Sequence, residues 1–400
     1  MTVNRTHWVL FGLYILICAS VFVASLVSPA VRAVAAAPLR DWILPPPSPI
    51  TITLLYASEE DAWLKEAIQD FQATQPLVGG RSIVIQPLSY GSREMITAIL
   101  DGKEKPALIS PASMLQVSIL QDQSAAKFGK AVVNASDTTT CKPVLNTPLV
   151  LAAWRERADV LWGQTPPADL WRRLHDDLVN PLGWGAFNKP EWGYVKFGHT
   201  SPLTSNSGLM TLLLMTYDYF GKTSGLTSND LLSNTDYQKW LLEIEGTIPS
   251  FGDSTGTYMH DIVAYGPSTY DMVAVYEATA FGQADNAVGR YGELRVYYPP
   301  ATIISDHPFC VVSADWVSPE QTQAASLFMD YVLSKPIQEM ALLKYGFRPV
   351  SPQVPLDEAG SPLVHYASTG FQINLPPAVQ LPPVGVLNTL LDFWSRNVNR

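Results

Sequence analysis

The stretch "ITITLLYASEEDAWLKEAIQDFQATQPLVGGRSIVIQPLSYGSREMITAILDG", Ile50 to Gly102, decides the fold class. Its first seven residues are apolar and β-branched, the chemistry of a strand. "SEEDAWLKEAIQDFQ" then repeats apolar side chains at helical spacing through Leu64, Ile68 and Phe71. "RSIVIQPL" returns to strand chemistry, "SREMITAILDG" reads as a second helix, and the apolar strand "ALIS" (Ala107 to Ser110) follows. Strand, helix, strand, helix, strand predicts an α/β fold with a parallel sheet. Ligands of such sheets gather beyond the carboxyl ends of the strands, where helices begin.

Those junctions are rich in hydroxyl groups. Ser58 opens the first helix as "SEED", a capping-box pattern with Asp61 at the third helical position. The second junction, "SYGSRE", supplies Ser89, Tyr90, Gly91 and Ser92, and the third, "SPASM", supplies Ser110, Ala112 and Ser113. Any one of these serines is explained as an N-cap. Their recurrence after successive strands points to a ligand. A fourth start lies in "HTSPLTSNSGLMTLLLMTYDYFG", His199 to Gly221, where Ser205, Asn206, Ser207 and Gly208 precede an apolar helix. A helix start carries free N–H groups and about half a positive charge, a receptor for an anion or a ligand oxygen. Three polar side chains and a glycine exceed what a cap requires.

Outward from this core, Trp8 to Val31 contains no charged residue and is long enough to cross a bilayer as a helix, with Arg5 before it. Residues 1–37 are therefore expected to be an N-terminal membrane anchor or signal segment that leaves the folded part on the extracytoplasmic face. "LIC" puts bulky Ile17 before Cys18, which argues against a lipoprotein cleavage site. The proline cluster of residues 38–49 suits a stiff linker. "TPLVLAAW" (Thr147 to Trp154) is expected to cross into a second lobe and "HPFCVVSADW" (His307 to Trp316) to return. This divides the chain into residues 50–146 and 313–400, a discontinuous first lobe, and residues 147–312, the second. Cys141 and Cys310 are available for a disulfide in an oxidising compartment, or are buried bystanders. At 400 residues, 47% hydrophobic and net charge -10, the chain builds real cores and has no electrostatic footprint for nucleic acid.

The segments "WGYVKFGHTSPLTSNSGLMTLL", "DSTGTYMHDIVAYGPSTYDMVAVYEAT", "ISDHPFCVV" and "ALLKYGFRPVSP", in this order, resemble bacterial extracellular solute-binding proteins of the type II periplasmic-binding-protein fold. The resemblance runs from Ile50 to the C-terminus. It implies two α/β lobes joined by two crossing hinge strands, a solute held between them, and delivery to the permease of an ABC transporter. It places Ser58, Tyr90 to Ser92, Ser205 to Gly208, the "STG" loop with Ser254 and Thr255, and the pair Tyr276 and Glu277 at the cleft. With Ser113 these are the expected ligand-binding residues, and the expected ligand is a small polar solute, an oxyanion or a sugar. Many relatives are lipoproteins or cleaved periplasmic proteins, so a retained anchor is a departure from the family pattern.

Other chemistries compete. A membrane-tethered sensor or adhesion protein would reuse the fold without transport. "GDSTG" (Gly252 to Gly256) matches the G-x-S-x-G expression of a serine hydrolase, with Ser254 as nucleophile and His260 or His307 as base, but Pro249 stands where the preceding strand needs a donor. No enzyme activity, cofactor or metal is expected: the six histidines are scattered, and neither H-E-x-x-H nor C-x-x-C occurs. Trp184 and Trp192, in "PLGWGAFNKPEWG", are read either as sugar-stacking platforms or as packing.

Overall fold

The computed structural model describes residues 5–28, 47–358 and 360–398. Of the expected linker, residues 38–46 lie outside the described residues. The helix Arg5–Val27 contains a 20-residue run, Trp8–Val27, of mean hydropathy 2.5, almost none of it buried in the protein. Its length and composition suit a bilayer crossing, a property that an anchor and a signal segment share.

The first sheet is built around β1 (Ile50–Ala57), which runs parallel to β3 (Arg81–Tyr90) on one side and to β4 (Leu108–Ser110) on the other. The short β2 (Leu77–Val78) folds antiparallel onto the outer edge of β3. Strand β1 is covered on both faces, and its alternation shows it. Ile52, Leu54 and Tyr56 pack with Trp63, Leu64 and Ile68 of the helix Asp61–Ala73, while Leu55 and Ala57 pack with Met95, Ile96 and Ile99 of the helix Ser92–Leu100. The sheet is completed by β11 (Pro308–Val311), antiparallel to β4, and by β5 (Cys141–Pro143) on its far side. Cys141 and Cys310 face each other in the β5–β11 ladder and are joined by a disulfide.

The second sheet is organised by one long strand, β6 (Leu145–Trp154). Strands β8 (Met272–Tyr276) and β9 (Leu294–Tyr297) flank it antiparallel, and β7 (Phe197–Gly198) extends the sheet parallel to β8. The chain passes from β5 directly into β6 and returns through β10 (Ile304–Ser305), which pairs with the start of β6 at Thr147↔Ser305 and Pro148↔Ile304. A third segment, β12 (Arg348–Pro349), pairs with Asn146 and Leu145.

The chain therefore crosses between the sheets at residues 144–148 and 304–308. Pro308–Val311, placed in the second lobe by the sequence reading, is hydrogen-bonded into the first sheet. The helices Pro319–Val332 and Lys335–Tyr345 pack on the first core through Phe328, Met329 and Ile337. Beyond β12 the chain stays with the second sheet. Val354, Leu363 and Phe371 join Val273 and Val275, and Leu387, Leu390 and Trp394 of the helix Val384–Asn397 join Leu209, Leu213 and Tyr237. Assigning all of 313–400 to the first lobe missed this because an amphipathic helix shows that it is covered, not by what.

Candidate functional site

The helix Asn206–Tyr219 begins in the seam between the lobes, and nearly all of it is buried. Asn206 Nδ2 donates to Tyr276 Oη (2.8 Å) and Ser305 Oγ (3.2 Å), while its Oδ1 accepts from Ser113 Oγ (3.0 Å) and Gln116 Nε2 (2.8 Å). One amide thus ties a first-lobe helix start to β8 and β10, and its hydrogen-bonding capacity is spent. Ser207 Oγ is 2.7 Å from both Thr200 Oγ1 and Thr255 Oγ1, and Ser205 Oγ is 3.3 Å from Ser207 Oγ and Thr255 Oγ1. Gly208 is required by the neighbouring turn, since a Cβ there would sit 2.1 Å from the Thr200 carbonyl oxygen. The polar cluster that suggested a ligand is satisfied within the protein.

The first-lobe helix starts are spent in the same way. The Thr204 carbonyl accepts from the backbone N–H groups of Arg93 and Glu94, so the opposite lobe occupies the amino end of the helix Ser92–Leu100. A Cβ on Gly91 would lie 2.6 Å from that same oxygen, so glycine permits the contact. Ser92 Oγ accepts from the Ala112 N–H (3.0 Å), and Asp306 Oδ1 caps the next helix at Met114 N–H (2.7 Å). Tyr90 Oη donates to Glu104 (2.8 Å). Glu277 is fully buried in an ion pair with Arg348, at 2.7 and 2.8 Å, and also accepts from Tyr298; it braces β12. Trp184 donates to Asp271 (3.0 Å), and Trp192 stacks on Arg157, so these tryptophans serve packing.

Space remains beside this seam. A cavity of about 470 Å³ opens between Ser58, Glu59, Asp61, Ser89, Tyr345 and Phe347 of the first lobe and Gly256, Thr257, Ala278, Thr279 and Gln283 of the second. That size suits a small solute. A second cavity, of about 560 Å³, lies within the first lobe around Gln121, Val133 and Thr140. Among the expected residues Ser58 lines the interlobe cavity. Thr255 and Glu277 stop one residue short of it, their neighbours Gly256 and Ala278 forming the wall. Ser58 Oγ accepts from the Gly256 N–H (3.3 Å) across the lobes, and a Cβ on Gly256 would meet the Ser58 carbonyl oxygen at 2.9 Å.

"SEED" does not form a capping box. Ser58–Glu60 is a single 3-10 turn, and Asp61 is held by Tyr56 Oη and Lys65 instead of reaching back to the helix start. The turn drives both glutamates inward. Glu60 is fully buried and accepts from Ser110 Oγ (2.8 Å), with His307 Nδ1 at 2.8 Å from its other oxygen; burial pushes its carboxyl well above the usual range. Burial pushes the Glu59 carboxyl up to about 7, and the same cause pushes the His307 imidazole down. His307 holds a left-handed backbone (φ 36°), where the return crossing enters β11. A signal for this site was present in the sequence: two glutamates one residue beyond a strand whose last four residues, Leu54 to Ala57, are apolar.

The hydrolase geometry is not built. Ser254 starts the helix Thr255–Tyr265 without a strand before it, and its Oγ donates to Thr257 Oγ1 (3.0 Å). His260 is exposed beside Asp261, and His307 is committed to Glu60. Among the described residues no group of three His, Cys, Asp or Glu side chains is arranged to hold a metal ion.

Comparison with known proteins agrees with this architecture. The chain is 24% identical over 315 residues to an uncharacterized protein of Mycobacterium tuberculosis H37Rv, an alignment covering 71% of this chain and 40% of that protein. The chain thus spans well under half of its curated relative. Among solved structures, the sulfate-binding protein SubI of M. tuberculosis superposes with TM-score 0.54 at 17% identity, covering 85% of this chain and 96% of that one. The fructose-6-phosphate-bound periplasmic binding protein AfuA of Actinobacillus pleuropneumoniae gives 0.55 at 13%, covering 88% and 99%. Iron-bound HitA of Pseudomonas aeruginosa gives 0.53 at 15%, covering 88% and 100%. These likenesses identify the type II periplasmic-binding-protein fold. The family profile described as bacterial extracellular solute-binding protein matches residues 52–348, the greater part of the chain, and the protein belongs to that family.

Proposed function

We propose that the chain captures a small polar solute between its two lobes, outside the cytoplasm, and presents it to the permease of an ABC transporter, without enzymatic turnover. The helix Arg5–Val27 holds it at the membrane in this reading. The observation that carries it is the interlobe cavity, whose walls come from both lobes while the paired crossing at Thr147–Pro148 and Ile304–Ser305 joins them. A solute in that position touches both lobes only when they are closed, so binding selects the closed state. The relatives of this fold capture ligands as different as sulfate, fructose-6-phosphate and iron, so the choice of solute rests on the cavity. A second reading, a tethered sensor or adhesion protein, draws on the seam around Asn206, which closes without needing a ligand.

The test is thermal melting of the full chain in detergent micelles against oxyanions, sugars, amino acids, short peptides and organic cations. A solute at a hundred times its dissociation constant adds about 2.7 kcal/mol of stability, about 3 °C for a chain this long. A cooperative melt with no shift from any class, on protein freed of copurified solute by partial denaturation and refolding, would transfer the weight to the sensor reading.

A further inference from the structure

The geometry points to an organic ammonium as the solute, with Glu59 as its counter-ion in the interlobe cavity. This rests on the solute-capture reading and adds the charge class of the ligand. Three observations carry it. First, Glu59 lines the cavity, its side chain is only 4% exposed, and Oε1 has no hydrogen-bond partner. The groups around it do not supply one: Ser58 Oγ lies 3.5 Å from the other oxygen, and His307 Nε2, 3.9 Å from Oε1, is beyond hydrogen-bond range and itself unpartnered. His307 is engaged through Nδ1 with Glu60, whose carboxylate also takes Ser110, so neither neighbour neutralises Glu59. A buried carboxylate with one oxygen unpartnered is costly, and burial raises its pKa; a bound cation offsets that cost.

Second, the rest of the wall suits a cation. Among the described lining residues there is no Lys, Arg or His, whereas Asp61 adds a second carboxylate. Lys65 and Lys344, on the helices that carry Asp61 and Tyr345, are engaged with Asp61 and Glu66. Tyr345 and Phe347 supply aromatic surface, which attracts ammonium groups through the ring quadrupole. Third, hydroxyls and an amide (Ser89, Thr257, Thr279, Gln283) line the remainder, and Thr279 Oγ1 is buried without a partner. These groups accept from N–H or O–H donors at the other end of the same molecule. An oxyanion would meet the Glu59 carboxylate with no cation on the cavity wall to compensate, and the amino ends of the helices Ser92–Leu100, Met114–Phe128 and Thr255–Tyr265 are occupied by Thr204, Asp306 and Ser58.

The experiment is isothermal titration of the full chain in micelles with choline, putrescine, sulfate and fructose, on wild type, Glu59→Gln and Glu59→Asp. Choline or putrescine should bind. Glu59→Gln should weaken that binding about 10- to 100-fold, the loss expected when a hydrogen bond to a charged group is removed, and Glu59→Asp should restore part of it. Retained cooperative melting in both variants shows that the fold is intact. Equal affinity in wild type and Glu59→Gln overturns the assignment, as does a failure of both cations to bind. Binding of sulfate or fructose in place of the cations overturns the charge class while leaving solute capture standing.

Discussion

Replacing Glu59 by Gln should stabilise the ligand-free protein, and only on the alkaline side. Burial raises this carboxyl from its usual 4.5 to about 7, so the folded chain keeps a proton that the unfolded chain releases across that interval. Folding is therefore unpenalised below pH 4.5, loses stability as the pH climbs through the window, and carries the full cost above about pH 7. At 1.36 kcal/mol per pH unit the cost is about 3 kcal/mol, or about 4 °C in melting temperature for a chain of this length. Glutamine keeps the shape and removes the charge. The melting temperatures of variant and wild type should nearly coincide at pH 4.5 and separate by about 4 °C at pH 8, with the variant higher. Subtracting one protein from the other cancels the groups remote from residue 59; His307 and Glu60, which feel its charge, still contribute to the difference. A separation that does not grow with pH, or a variant that melts lower at pH 8, refutes the claim that Glu59 is buried without a counter-charge.

Two further outcomes test the seam. Asn206→Ala removes four hydrogen bonds and strands Ser113, Gln116, Tyr276 and Ser305, so it should cost about 3 kcal/mol of stability; an unchanged melting temperature would mean that the amide is not integral to the closed fold. Gly91→Ala drives a methyl to 2.6 Å from the Thr204 carbonyl oxygen and should hold the lobes apart, raising the radius of gyration in small-angle scattering, whereas an unchanged radius would show that the contact yields locally.

The first half of the fold was legible because β1, β3 and the helices between them alternate between two periods, and the central strand, covered on both faces, is apolar but for Thr51 and Thr53. The crossings were legible in kind and displaced in place. Thr147 to Trp154 reads as a strand from its composition, but where a strand leaves one sheet depends on its partners. Pairing of Cys310 with Cys141 is a long-range fact that no local pattern carries. Ser205, Asn206 and Ser207 do converge as their spacing suggested, and in the structure their side chains bond Thr255, Ser113 and Tyr276. A sequence shows donors and acceptors, not which of them find one another across the lobes. Glu59 was missed because its neighbour Ser58 offered a familiar local explanation for the whole "SEED" turn.

The disulfide also fixes an order of events. Cys141 emerges from the ribosome with most of the first sheet, but its partner follows 169 residues later, after every strand of the second sheet from β6 to β10 has been synthesised. The place between β4 and β5 stays vacant until Pro308–Val311 arrives, so the first lobe cannot be finished by vectorial folding alone. Formation of the bond marks the moment when the inserted strands have been made and the two crossings brought together, and a chain truncated before Cys310 would carry a free thiol at Cys141 that betrays its incompleteness.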